Sequence, residues 1–399
     1  MTTTRSVSAP GESLLERVAA APTAPQEIYA EQLRSCPVQH DPDGVMISRM
    51  ADVLQINRHP DILGAGGATA PHGTMGAERP LIPLDLDGPV HLQYRRMLDP
   101  VFAPKRIAAL EPAIRALTDS LIDGFVDRGH AEFFGEFCTP LPSNIFVNMM
   151  GVPAEHIPRF LAFKDDVIRP QGQTMEEVFE FAREAGRKTY AYFDELLDER
   201  DAAGEIREDL IGYLMAAEVD GHRLSRLELL DICYLLMIAG LDTVTSSFSC
   251  IIAWLAQHPA ERAWILEDPA RWPEAIEELM RYESPVFHGT RLATAEVEIG
   301  GNPYPAGTGF KISWAAANLD PEAFPDPLTV DLQRNPNKHI GFASGFHRCL
   351  GSHLARLELR VALEQLHRRI PDYRVAAGQD IVYSAVGVRL AGYLPLEWN

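Results

Sequence analysis

A mainly α-helical protein with a minor β part is predicted by three features of the sequence. Long stretches carry apolar residues at three- and four-residue spacing. Strand-like alternation is confined to short runs. One segment, beginning at Ser225, reads as a single helix of roughly 50 Å, enough to cross a whole domain.

Along the chain the elements follow in order. The first residues, MTTTRSVSAPGESLLERVAAAPTAP, contain no apolar core of signal-peptide length and predict a flexible N-terminal tail over 1–25, with a single domain over 26–399. A strand is expected at 44–48, then helices at 107–125 and 174–199. Ser225 and Glu228 fit a capping box, and the helix they open runs to His258, where Pro259 stops it. A helix at 276–282 and a strand at 295–299 precede a long irregular connection over 318–338, which holds Pro321, Pro325, Pro327 and Pro336. A helix at 350–369 and a strand at 381–390, with Gly387 inside it, complete the chain.

Composition excludes several function classes. With 399 residues, 46% hydrophobic and 23% charged, the chain has ample apolar surface for a large core. Its net charge of -20 argues against nucleic acid, which is held by clustered Lys and Arg, and against anionic membranes. The cysteines, Cys36, Cys138, Cys233, Cys250 and Cys349, are odd in number and widely spaced, which predicts free thiols and a cytoplasmic protein. The longest apolar run, 232–241, is about half a membrane span, so no membrane anchor is expected.

Two stretches carry chemistry. In IAGLDTVTSS, inside the long helix, Gly240 costs about 1 kcal/mol against alanine, Asp242 puts a charge into an apolar span, and the Thr243 hydroxyl can bond the Ala239 carbonyl and bend the helix. A bend beside small residues makes a niche for a small ligand; a kinked core helix with a solvated aspartate accounts for the same residues. In GFASGFHRCLGSHLAR, Cys349 stands alone in a glycine-bracketed loop before a helix. It reads as a buried structural thiol, as part of a zinc site with His339, His347 and His353, or as a thiolate ligand of haem iron. The zinc spacing matches no paired-ligand pattern. The helix start, Arg348 and His347 favour a thiolate, and a flat ligand explains flanking glycines.

At these residues the chain resembles cytochrome P450, the haem-thiolate monooxygenases, most closely the soluble bacterial members. Phe342, Gly345, Cys349 and Gly351 reproduce the family's FxxGxxxCxG signature. Ala239, Gly240, Asp242 and Thr243 resemble the AGxDT of the oxygen-binding helix, and Glu278 with Arg281 the ExxR pair, to which Arg334 adds the third member. His91 and Arg95, followed by Phe102, resemble the propionate-binding HxxxR, and Arg291 and His347 further propionate partners. The motifs span about residues 80 to 390 in the family's order. Ala343 stands where the family often has glycine, and Leu319 where it often has arginine, which puts one local salt bridge in doubt.

The resemblance implies a P450 fold with a long central helix over haem b (iron protoporphyrin IX). Cys349 would be the axial iron ligand. His91, Arg95, Arg291 and His347 would meet the propionates, with Ala239, Gly240, Phe342, Gly345 and Gly351 beside the macrocycle. Glu278, Arg281 and Arg334 would pin the irregular segment that leads to the cysteine. Asp242 and Thr243 would serve proton delivery during O2 activation, giving hydroxylation or epoxidation. Electrons from NAD(P)H would arrive through a separate ferredoxin and ferredoxin reductase, docking on Arg95, Arg96, Lys105, Arg106, Arg348, Arg356 and Arg360. Pocket walls are expected from 65–80, 160–174, 237–243, 286–289 and 385–388. Met237, Val286, Phe287 and Val388 imply an apolar ligand of terpenoid, steroid, fatty-acid-like or polyketide type, and His288 meets either its oxygen function or solvent and backbone. A haem-binding or sensing protein without turnover is the alternative of another class.

Overall fold

Helical periodicity is realised over most of the chain in the computed structural model, which describes residues 12–42, 44–64, 75–204 and 207–399. In order the helices are α1 (Leu14–Ala20), α2 (Pro25–Ser35), α3 (Met50–Ile56), α4 (Gly88–Leu98), α5 (Pro104–Ala108), α6 (Glu111–Asp123), α7 (Pro140–Met150) and α8 (Ile157–Ile168). They continue with α9 (Met175–Ala203), α10 (Leu210–Ala216), α11 (Arg226–Gln257), α12 (Pro259–Leu266), α13 (Trp272–Glu283), α14 (Trp314–Ala317) and α15 (Ser352–Arg369). The main sheet has five strands, β1 (Val38–Asp41), β2 (Gly44–Ile47), β3 (Ile62–Gly64), and two late ones at His288–Ala293 and Gly309–Ser313. The Gly309–Ser313 strand runs parallel to β2 and antiparallel to His288–Ala293, which in turn pairs with β3.

The core is built around α11. Ser225 caps it as expected: its hydroxyl accepts from Glu228 N, and the Glu228 carboxylate accepts from Ser225 N. From Leu229 to Ala256 every residue is buried except Ala239, Gly240 and Thr243. A helix buried on all sides must satisfy its own polar groups. Thr245, Ser246 and Ser247 do so by donating to the carbonyls of Leu241, Asp242 and Thr243, at 2.7 to 2.8 Å. This helix is long and apolar enough to cross a membrane by composition, and it is packed inside the protein.

Three expectations are corrected. Residues 14–20, assigned to a loose tail, form α1, closed by a Ser13–Glu16 capping box, with Leu14 and Val18 fully buried. The signal was present, since SLLE is itself a capping-box pattern ahead of apolar residues. The Arg389 guanidinium also donates to the carbonyls of Pro22 and Thr23, tying this region to the core. The stretch 107–125 breaks into α5 and α6, because Pro112 fits only a first turn and starts a new helix. The strand expected over 381–390 is a hairpin, Val382–Val386 against Val388–Tyr393, turning at Gly387 with φ 73°.

Candidate active site

The cysteine loop is built by hydrogen bonds that the sequence alone does not show. Cys349 N donates to Phe342 O at 2.9 Å, closing the loop on its own signature phenylalanine. Gly345 has φ 70°, and a Cβ there would stand 2.2 Å from the Asn57 carbonyl, so only glycine fits. Asn57 also donates to Ser344 Oγ at 2.9 Å, so α3 and its end brace the loop. Ala343, where glycine is common, takes φ 55°, a left-handed conformation that a Cβ makes costly. The Phe342 ring lies under the Arg356 guanidinium at 4.2 Å, and Glu277 fixes that arginine from the other side.

Cys349 is exposed, yet its thiol is pushed above the ordinary cysteine range by desolvation. The residue is thus open to solvent while its sulfur is largely shielded from it. The Gly351 N–H and the charges of Arg95, Arg356 and Arg348 act in the opposite direction without overcoming burial. The helix start and nearby cations therefore do not make a thiolate by themselves, contrary to the argument from sequence. Coordination to a metal would, since a bound thiol loses its proton outright.

Beside this loop four titratable groups converge. The His91 and His347 rings stand 4.5 Å apart, and His347 Nε2 meets Asp87 Oδ1 at 2.9 Å. The same Asp87 oxygen accepts from Gly64 N. Burial lowers the pKa of His91 to about 4 and that of Arg291 to about 10. The Arg291 guanidinium makes one hydrogen bond among the described residues, to the Thr290 carbonyl at 2.7 Å. A buried cation with so little compensation fits an anionic partner. Arg95 is placed differently from expectation: it pairs with Asp99 and donates to Arg348 O, bracing the cysteine loop. Asp87 was not singled out from sequence; its place just ahead of Gly88–Pro89, four residues before His91, is the only local signal.

On α11 the three bared residues lie on one side, since Ala239 and Thr243 are one turn apart and Gly240 adjoins them. Thr243 Oγ1 donates to Ala239 O at 2.8 Å, as expected. The absence of a side chain at Gly240 is explained by packing: a Cβ there would lie 2.5 Å from the Phe146 ring of α7. Asp242 is buried, not solvated. Lys164 Nζ reaches its Oδ1 at 3.1 Å, and Arg169 Nη2 reaches both oxygens at 3.0 and 3.1 Å. Asp165 bridges the same two cations from the solvent side. Neither cation was legible from sequence, because the pairing crosses from α8 to α11.

The Glu278, Arg281 and Arg334 network is present in full. Glu278 and Arg281 are entirely buried and share two hydrogen bonds of 2.8 Å, and Arg334 Nε reaches both Glu278 oxygens at 3.1 Å. Arg281 then donates to the carbonyls of Asn318, Pro327 and Thr329, and Arg334 to that of Pro325. The proline-rich connection is thus hung on two guanidiniums. Leu319, in place of an arginine, is buried in an apolar cluster with Leu14 and Phe287, so packing replaces the salt bridge.

Other expected residues separate. Met237 is buried with the α11 core and Phe287 in the cluster around α1. Val286 is half-buried and Val388 just buried. His288 is half-buried, its Nδ1 has no partner, and burial lowers its pKa to about 4, so it is neutral. Residues 65–74 of the expected wall lie outside the described residues. The zinc reading does not stand: His339 is turned to Glu277 and His347 to Asp87. Of the expected basic patch, Arg356 pairs with Glu277 and Arg360 with Glu111 and Glu364. Arg96, Lys105, Arg106 and Arg348 are exposed with no ion pair among the described residues. Next to Arg356 and Arg360 a groove of about 430 Å³ runs between Pro104, Ile107, Ile276 and Leu357.

These residues fit an iron porphyrin: an exposed cysteine in a glycine-shaped loop, a buried arginine short of an anion, and a bared patch on an otherwise buried helix. The comparisons agree. The family model for cytochrome P450 matches residues 144–267 and 273–370. The steroid C26-monooxygenase of Mycobacterium tuberculosis is 33% identical over 352 residues, covering 87% of this chain and 92% of that one. The mycinamicin IV hydroxylase/epoxidase of Micromonospora griseorubida is 34% identical, covering 79% of each. A myxobacterial cytochrome P450 crystallised with myristic acid superposes with a TM-score of 0.86 at 30% identity, covering 96% of this chain and 98% of its own.

Proposed function

The chain belongs to the cytochrome P450 family and is a P450 monooxygenase, and we propose that it hydroxylates or epoxidises a small lipophilic substrate with electrons from a ferredoxin. The observation that carries this reading is the Asp242–Thr243 pair, intact beside the bared face of α11. A buried carboxylate set between two cations beside that face can carry a proton, which binding haem alone does not require.

Cys349 would hold the haem, which when bound would supply the activation of O2. The protein's own work is to hold and to move protons. Arg291 would supply the positive charge for the propionates and the His91 and His347 rings would hydrogen-bond them, with Asp87 orienting His347. Thr243 spends its hydroxyl proton on Ala239 O, which leaves the oxygen lone pairs free to hold a water in the cleft. Asp242 is the proton carrier toward that water. Its carboxylate must leave Lys164 and Arg169 to turn inward, so the ion pairs gate proton entry.

Arg96, Lys105, Arg106 and Arg348, exposed and without an ion pair among the described residues, form the docking patch for an acidic ferredoxin on a chain of net charge -20. The electron source is NAD(P)H through a ferredoxin reductase, and the protein works in the cytoplasm as one catalytic domain. The substrate is of terpenoid, steroid, fatty-acid-like or polyketide type. Apolar Val286 and Val388 support this, and relatives named for steroid and mycinamicin IV oxidation and a neighbour bound to myristic acid point the same way. Neutral His288 suits an uncharged oxygen function.

The test is turnover. The haem-loaded protein, given NADPH, ferredoxin, reductase and labelled O2 over a panel of lipophilic compounds, is expected to place a single labelled oxygen atom in a product. Compounds that shift the ferric spin state yet never yield labelled product would instead establish a sensor.

A further inference from the structure

Glu277 and Glu278 follow one another in α13, and a helix turns successive side chains apart by about 100°. Glu278 faces the buried network that carries the proline-rich connection. Glu277 faces the cysteine loop, and neither propionate binding nor proton delivery uses it. Its Oε1 accepts from Arg356 Nε at 2.6 Å, and its Oε2 accepts from Arg356 Nη2 at 2.8 Å and from His339 Nε2 at 2.9 Å. His339 Nδ1 accepts from Gly341 N at 3.1 Å, which leaves the Nε2 proton for Glu277.

Both partners of Glu277 pack on Phe342. The Arg356 guanidinium lies 4.2 Å from the ring centroid, and the centre of the His339 ring stands 6.0 Å from it. Phe342 O in turn takes the Cys349 N–H bond. One carboxylate therefore orders the two groups that pack on the residue bonded to Cys349. That carboxylate is fully ionised: burial works against its charge, yet the hydrogen bonds from Arg356 and His339 bring its pKa down to about 2.

Charge is the second consequence. Arg95, Arg356 and Arg348 all act on the Cys349 thiol. Arg348 has no ion pair among the described residues, and Arg95 meets an Asp99 carboxylate that is 54% exposed. Arg356 differs, since Glu277 grips it through two hydrogen bonds with 29% and 28% of the two side chains exposed. Adding an electron to iron held by this sulfur makes the site more negative, so an uncompensated cation nearby favours the reduced form and an uncompensated anion opposes it.

We propose that the Glu277–Arg356 pair sets the reduction potential of the bound haem, Glu277 cancelling the Arg356 charge and holding its guanidinium on Phe342. This rests on the reading of Cys349 as the iron ligand, and it goes beyond that reading by assigning a positioning residue on α13 that touches neither iron nor substrate.

The experiment is a dye-mediated reductive titration of Glu277→Gln, Arg356→Gln, the double variant and the parent chain, all haem-loaded and with no ferredoxin present. Glu277→Gln is expected to raise the equilibrium constant for one-electron reduction about threefold and Arg356→Gln to lower it about threefold, the scale of one partly screened charge; each is a shift of about 30 mV, in opposite directions. The double variant should return close to the parent. Shifts of one sign in both single variants, as a general loosening of the loop would give, overturn the assignment, and so do unchanged potentials. Where Glu277→Gln fails to take up haem, Arg356→Gln decides alone, since a raised or unchanged potential there contradicts the charge argument. Failure of the thiolate reading is seen separately, in a parent chain whose reduced, carbon monoxide-bound form lacks the long-wavelength Soret band.

Discussion

Replacing Glu278 with alanine lowers the stability of the protein by about 3–5 kcal/mol, the range for breaking a buried ion pair from one side. Glu278 accepts from Arg281, Arg334, the Asp331 backbone N–H and Asn337 Nδ2, and no solvent reaches it. Without it two guanidiniums remain beside each other with no anion. Both also hold the carbonyls of the connection leading to Cys349, so the loss spreads to the cysteine loop. Thermal unfolding and haem content measure the effect together: a lowered midpoint with substoichiometric haem is expected. A variant that melts like the parent and carries full haem would show that the network does not position the loop.

Asp242→Asn is expected to slow product formation about 100-fold, the lower end of what positioned proton transfer contributes. The amide keeps the shape but carries no transferable proton, and it gives up the charge that draws Lys164 and Arg169 inward. Lys164 retains Asp165, so the fold survives. Haem content and substrate-induced spectral change should stay as in the parent chain, while the solvent isotope effect on turnover rises. Full activity in this variant would remove Asp242 from the proton path.

Much of the site was legible because its residues are local motifs. The spacing of Glu278 and Arg281, the Thr243 hydroxyl reaching back one turn, and the Ser225 capping box are dictated within a single helix. What crossed between elements was not legible. Lys164 and Arg169 reach Asp242 from another helix, Asp87 reaches His347 from far along the chain, and Asp231 collects Arg79 and Tyr190 from two separate parts. Burial caused the other differences. Cys349 looked activated by neighbouring cations, but desolvation outweighs them. Gly387 was expected in the interior of one strand and is the turn of a hairpin.

The central claim is that Cys349 holds the haem iron as a thiolate. The direct measurement is the absorption spectrum of the reduced, carbon monoxide-bound protein, taken for the parent chain and for Cys349→His. The parent should show the long-wavelength Soret band of a thiolate-ligated haem, and the histidine variant should bind haem but absorb at the shorter wavelength of a nitrogen ligand. A variant that kept the long-wavelength band would mean that another group ligates the iron.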